Sequence, residues 1–325
     1  MINLEKTMKR LMMALAVSLA LPVAHAQTWP AKPLRAIVPV GAGSSTDIVH
    51  RLVLEQLSAS LGQPIVVENR AGAGGTIGTA TVAKAQPDGY TILAHGSAHT
   101  IAPALFKSLP FDPVRDFVPI VPIGISPSVL VVSPAKGIAT TQALVAASKA
   151  RPGALNFSSV GIGTATHLSA ERFVSSAGIH AVHVPFKGGA EATLEVLAGR
   201  VDFFFGPVPL VLPHVREGKL TALAVNGAKR SPTLPNVPTL QEGGYPDAEY
   251  PIWFGLFAPA KTPGAAIDRL NHETLKVLQS PALREKLSGL GVDAMVMTPQ
   301  EFKLHVEHEM SLNATLAKKA GLKAE

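Results

Sequence analysis

Three short stretches of this sequence are suited to donating hydrogen bonds from the backbone. Gly41-Ala-Gly-Ser-Ser-Thr46, Gly96-Ser-Ala-His-Thr100 and Gly161-Ile-Gly-Thr-Ala-Thr-His167 are small and rich in hydroxyls. Each is expected to open a helix. Small side chains let a ligand approach main-chain N–H groups, and a helix start offers amides without intrahelical acceptors together with partial positive charge. Three such loops in one cleft would suit a carboxylate that has no dedicated arginine. The candidate contacts are Gly41, Ala42, Gly43, Ser44, Ser45 and Thr46, then Ser97, Ala98, His99 and Thr100, then Gly163, Thr164, Ala165, Thr166 and His167. Any one loop has a plainer explanation, N-capping by Ser44, Thr46, Thr100 or Thr164. Three together favour binding. His99 and His167 read equally as neutral hydrogen-bond donors or as structural caps.

Other chemistries fit less well. Gly41-Ala-Gly43 ends a strand and Glu68 ends the next, but a dinucleotide fingerprint wants a third glycine near position 46, where Thr46 stands. His305-Val-Glu-His308-Glu309 lacks the HExxH order of a zinc helix and reads as a solvated helix face. There is no GxSxG elbow, and the serine-rich loops have no recognisable base partner. The chain contains no cysteine, which excludes thiolate metal sites and cysteine nucleophiles. No cofactor, no metal and no catalysis are expected, with an exported hydrolase as the minority alternative.

The elements that must position these loops alternate. Leu34-Arg-Ala-Ile-Val-Pro-Val40 is a strand, 47–61 a helix, Pro64-Ile-Val-Val-Glu68 a strand, then Gly72-Ala-Gly-Gly75 and a helix towards Ala85, then the strand Tyr90-Thr-Ile-Leu-Ala94. A Pro-punctuated loop at 111–117 interrupts the pattern, which resumes after Val129-Leu-Val-Val132. Strands follow at 155–159, 180–185, 201–205, 221–225 and 253–257, with helices near 190–197, 265–279 and 299–319. Such alternation predicts an α/β fold with parallel sheets and crossover helices.

Residues 1–26 combine a basic flank, a short apolar run and Ala24-His25-Ala26, the pattern of a secretory signal peptide. Lys6, Lys9 and Arg10 against Glu5 give that segment a net charge of +2, so the formal +6 falls to +4 without it. That excess is spread out and has no interleaved aromatics, so nucleic acid is not an expected partner. About 300 residues remain, enough for two domains. The expected division is a first lobe of 27–128 and 236–325 and a second of 129–235, with 231–251 as the returning linker.

The residues also carry a resemblance. Ile37-Val-Pro39 with Asp47, Leu61-Gly-Gln-Pro-Ile-Val-Val-Glu-Asn-Arg70, Ala85-Gln-Pro-Asp-Gly-Tyr-Thr91, His183-Val-Pro-Phe-Lys-Gly-Gly189, Ala228-Lys-Arg-Ser-Pro232 and Trp253-Phe-Gly-Leu-Phe-Ala-Pro259 look like the Bug (TctC-like) extracytoplasmic receptors of tripartite tricarboxylate transporters. The resemblance implies a two-lobed Venus-flytrap fold that holds a small carboxylate and delivers it to membrane transporter subunits. It implies a periplasmic monomer; a sensor engaging a signalling protein would look the same. It adds Asp47, Phe186 and Gly206 to the candidate contacts. The chain departs from the family's pattern at Ala42-Gly43-Ser44, where Pro-Gly-Gly is usual, at Phe186, often Tyr, and at Gly206, often an acid. An acid there would pair with a ligand ammonium, so an organic or aromatic carboxylate without positive charge is the expected ligand.

Overall fold

Four of the five residues of β1 (Leu34–Val38) are buried, the near-continuous apolar run of a parallel strand covered on both faces. β1 pairs in parallel with β2 (Ile65–Asn69) and β3 (Thr91–Gly96). β10 (Ile252–Pro259) runs antiparallel to β3 and to β4 (Phe117–Ser126), and β11 (Asp293–Ala294) closes the sheet in the order β11-β4-β10-β3-β1-β2. A second sheet contains β5 (Ser128–Val132), β6 (Leu155–Ser159), β7 (Ala181–Pro185), β8 (Phe203–Pro207) and β9 (Thr221–Val225), ordered β7-β6-β8-β5-β9. This computed structural model describes residues 29–319, so the expected signal segment lies outside them.

The purely parallel sheets expected from the alternation are corrected to mixed ones. β5 arrives from the first sheet and β10 from the second, and each runs against its new neighbours. β4 was hidden by its prolines. Pro119 and Pro122 lie opposite Phe257 and Gly255, where the β4–β10 register shifts. Proline donates no ladder hydrogen bond, so the strand bulges at these points without ending.

Only Pro127 separates β4 from β5, and the chain returns to the first sheet through 226–251. Asn226 ties the two crossings together. Its side chain accepts from Ser128 N (2.6 Å) and donates to Tyr250 O (2.6 Å) and Ser169 Oγ (3.2 Å), and its backbone bonds Ser128 O and is bonded by Tyr250 N. Asn226 is fully buried. Losing it would strand several buried polar groups at once.

The long C-terminal helix Pro299–Lys319 covers one face of the first sheet, with Phe302 and Val306 in the core beside Trp253 and Phe257. Its histidines part company. His308 is exposed, but His305 is half-buried, its ring 5.6 Å from that of Trp253, so the expected solvated face holds for only one of them. Glu309 accepts from Thr100 Oγ1 (2.6 Å) and Trp253 Nε1 (2.5 Å), and enclosure of the carboxylate pushes it up to about 7 against those hydrogen bonds.

Candidate functional site

The Ser45–Leu61 helix begins at Ser44, whose Oγ accepts from Asp47 N at 3.3 Å. The Ala98–Leu105 helix begins at Ser97, whose Oγ accepts from Trp253 N at 3.0 Å. Both hydroxyls keep a proton to donate elsewhere. In the other half of the molecule, Ala165–Ala177 begins at Thr164, Gly189–Leu197 at Gly188 and Val208–Arg216 at Pro207. Residues from all five helix starts line one small cavity of about 50 Å³: Ser44, Ser45 and Thr46, Ser97 and Ala98, Thr164, Ala165 and Thr166, Gly189, and Pro207. At four of these starts the first amides have no acceptor within the helix; at the fifth, Val208 N donates to Pro127 O and Pro209 has no N–H. Each start carries partial positive charge.

An outer compartment of about 580 Å³ adjoins this inner one, and Val40, Ser44, Val160 and Thr164 line both. The outer compartment adds the glycine loop 71–75, Phe106, Ile162, Pro185, Phe186 and Lys187. Among the described residues neither compartment is lined by an aspartate or glutamate, and Lys187 is the one lysine or arginine. His95 lines the inner compartment. Burial, with His99 and His50 nearby, drops its pKa well below the usual value, so it is neutral.

The two halves meet closely over the cavity. A Cβ placed on Gly74, which has φ +64°, would lie 2.9 Å from the Ile162 carbonyl oxygen. One on Gly163 would lie 3.3 Å from Leu105 Cδ1. This is a closed cleft.

Of the candidate contacts, Gly41, Ser44, Ser45, Thr46, Ser97, Ala98, Thr164, Ala165, Thr166 and Phe186 line the cavity. The others do not. Ala42 and Gly43 are exposed, and the Gly43 amide donates to Asp47 Oδ2 at 2.9 Å. Asp47 also accepts from Arg51 Nε (2.8 Å) and Asn69 Nδ2 (2.9 Å). Burial alone would raise its pKa, but these hydrogen bonds outweigh it and hold the carboxyl below its ordinary value. Asp47 shapes the loop without lining the cavity.

His99 lies in the core, Nε2 2.9 Å from Pro113 O and its ring between Phe117 and Phe257. Thr100 bonds Glu309 and Ser97 O. His167 accepts from Gly163 N at 3.3 Å and stacks on His183 with ring centroids 3.9 Å apart. Gly206 is glycine for packing, because a Cβ there would lie 2.2 Å from Val211 Cγ1, leaving no room for an acid. His95, Phe106, Lys187 and the 71–75 loop were missed. Gly72-Ala-Gly-Gly75 follows a strand just as the other loops do, and that was the available signal.

Comparison with known proteins decides the family. Residues 49–322 match the family described as "Tripartite tricarboxylate transporter family receptor". The chain belongs to this receptor family. BugT of Bordetella pertussis is 38% identical to the receptor over 307 residues, 94% of each chain. The structure of periplasmic binding protein BugD matches with a TM-score of 0.87 at 34% identity, covering 91% of the receptor and 100% of BugD. R. palustris Rpa4515, solved with adipate, gives a TM-score of 0.88 at 32% identity, with coverage of 91% and 100%. The receptor therefore has the two-lobed α/β fold of periplasmic binding proteins. Among the described residues no helix is long and apolar enough to cross a membrane.

Proposed function

We propose that this receptor works in the periplasm as a monomer, closing its lobes over a small carboxylate and passing it to the membrane subunits of a tripartite transporter without chemical turnover. One observation carries the reading: five helix starts, from both halves of the chain, border a cavity with no acid in its lining among the described residues. Carboxylate charge placed there meets the first amides of four helices and the positive ends of five helix dipoles. The adipate in the R. palustris relative points the same way. We place the first lobe at 29–126 with 252–319 and the second at 128–250, hinged at Pro127 and Pro251, because Leu240, Tyr245 and Ala248 pack in the core of the second sheet and Thr239 bridges Val225, so the chain returns later than the expected 236.

The absence of turnover is supported by where the polar groups sit. The Ser44 and Ser97 hydroxyls accept backbone amides, and among the described residues no histidine is bonded to them. Ser159 does lie 2.6 Å from His183 Nε2, but Ser159 is fully buried and lines neither compartment. A thermal-shift screen of the mature receptor with benzoate, adipate, malate and citrate, each beside its amide, tests the reading. An acid at about 100 times its Kd should add roughly 2.7 kcal/mol of stability. Amides that stabilise as well as acids, or hydrolysis of an ester panel, would count against it.

A further inference from the structure

The two compartments differ in chemistry as well as size. The inner one, about 50 Å³, has room for a carboxylate and little more. The outer one, about 580 Å³, must take the rest of the ligand, and its walls are largely apolar. Phe106 comes from one lobe and Phe186 from the other, both only half-buried, with Val40, Val160, Ile162 and Pro185 around them. Half-buried aromatic rings on both sides of a closed cleft offer an apolar slot to a flat or ring-shaped body. Among the described residues its one charged side chain, Lys187, is exposed.

A second carboxylate would have three places to go. At the 71–75 loop, which opens the Thr76–Ala83 helix, the Gly75 and Thr76 amides are already given to Gly72 O and Ala73 O. Among the apolar walls it would be desolvated without a partner, which is strongly unfavourable. At Lys187 it would form a solvent-exposed ion pair, which returns little. None of the three rewards a second charge as the inner helix starts reward the first. We infer that the ligand of this receptor is a monocarboxylate with an apolar, ring-sized body, aromatic or cycloalkyl, rather than a di- or tricarboxylate. The carboxylate seats among the helix starts and the body lies between Phe106 and Phe186. This inference rests on the carboxylate-receptor reading above.

Calorimetric titration of the mature receptor with benzoate, cyclohexanecarboxylate, adipate, citrate and benzamide tests it. Benzoate or cyclohexanecarboxylate should bind at least tenfold more tightly than adipate or citrate, and benzamide at least tenfold more weakly than benzoate. Adipate or citrate binding as tightly as the ring acids overturns the inference and leaves the carboxylate reading standing. Binding of no acid, or of benzamide as well as benzoate, overturns both. In variants, Phe106→Ala and Phe186→Ala should each weaken the ring acid at least fivefold, while Lys187→Gln changes it less than twofold. Unchanged affinity in both phenylalanine variants, or a tenfold loss in Lys187→Gln, also overturns it.

Discussion

Replacing Ala165 by proline would delete one cavity-lining amide while keeping the helix that carries it. Ala165 is the first residue of its helix, and Thr164 before it is extended at φ −86°, ψ 161°. That is the conformation required before proline, and proline at the first helical position loses only an amide without an intrahelical acceptor. A hydrogen bond to a charged group contributes about 1.5–3 kcal/mol, so Kd for benzoate should rise about 10- to 150-fold. Ser45→Pro makes the same deletion from the other lobe, behind Ser44 at φ −70°, ψ 161°. Thr141→Pro is the control: Thr141 opens the Thr141–Ala150 helix behind an extended Thr140 and lines neither compartment. Ala165→Val adds comparable bulk but keeps the N–H, and should lose less affinity. The assay is calorimetric titration beside a melting curve for each variant. A folded Ala165→Pro receptor with a Kd within twofold of the parent would refute recognition by these amides.

Gly43 tests the opposite case. It has φ +75°, nothing within 4 Å of an added Cβ, and an amide engaged by Asp47, so Gly43→Val should cost about 1–3 kcal/mol of stability in a denaturant titration and leave benzoate affinity in the folded fraction unchanged. Gly74→Ala pushes a Cβ towards the Ile162 carbonyl across the cleft; benzoate affinity should fall at least tenfold, about 1.4 kcal/mol, and small-angle scattering should show the ligand-induced decrease in radius of gyration disappear. Glu309 sets a pH dependence. Its pKa is about 7 in the fold against 4.5 as the ordinary value, so its contribution is fully present below about pH 4.5 and is lost as pH rises through about 7, a swing of about 3 kcal/mol. Glu309→Gln keeps an acceptor for Thr100 and Trp253, and its stability should exceed the parent's above pH 7 and converge with it in acid; parallel pH profiles would show that Glu309 is not the source.

Much of this architecture was legible in the chain because strands and helices alternate with clean punctuation. The strands at 155–159 and 221–225 fall where periodicity puts them. Strand direction was not legible, since nothing local in β5 or β10 says from which sheet the chain arrives. The site was half legible. Glycine and hydroxyl content marks a helix start, but which residues face the ligand depends on how the loop is held. Asp47 captures the Gly43 amide, leaving Ala42 and Gly43 exposed and Ser44 lining the cavity. His95 and His99 look alike in sequence. One ends β3 at the cavity, while the other, inside the following helix, points into an aromatic core. The outer compartment is built from segments far apart in the chain, Phe106 and Phe186 among them, and only the fold brings them together.

The most direct test of the central claim is a crystal structure of the receptor with its tightest-binding carboxylate. The account predicts carboxylate oxygens about 3 Å from the amides of Ser45 or Thr46 and of Ala165 or Thr166, with the Ser44 or Ser97 hydroxyl donating and the ligand's body between Phe106 and Phe186. A carboxylate bound at Lys187 with the body turned inward, or a ligand outside this cleft, would contradict it.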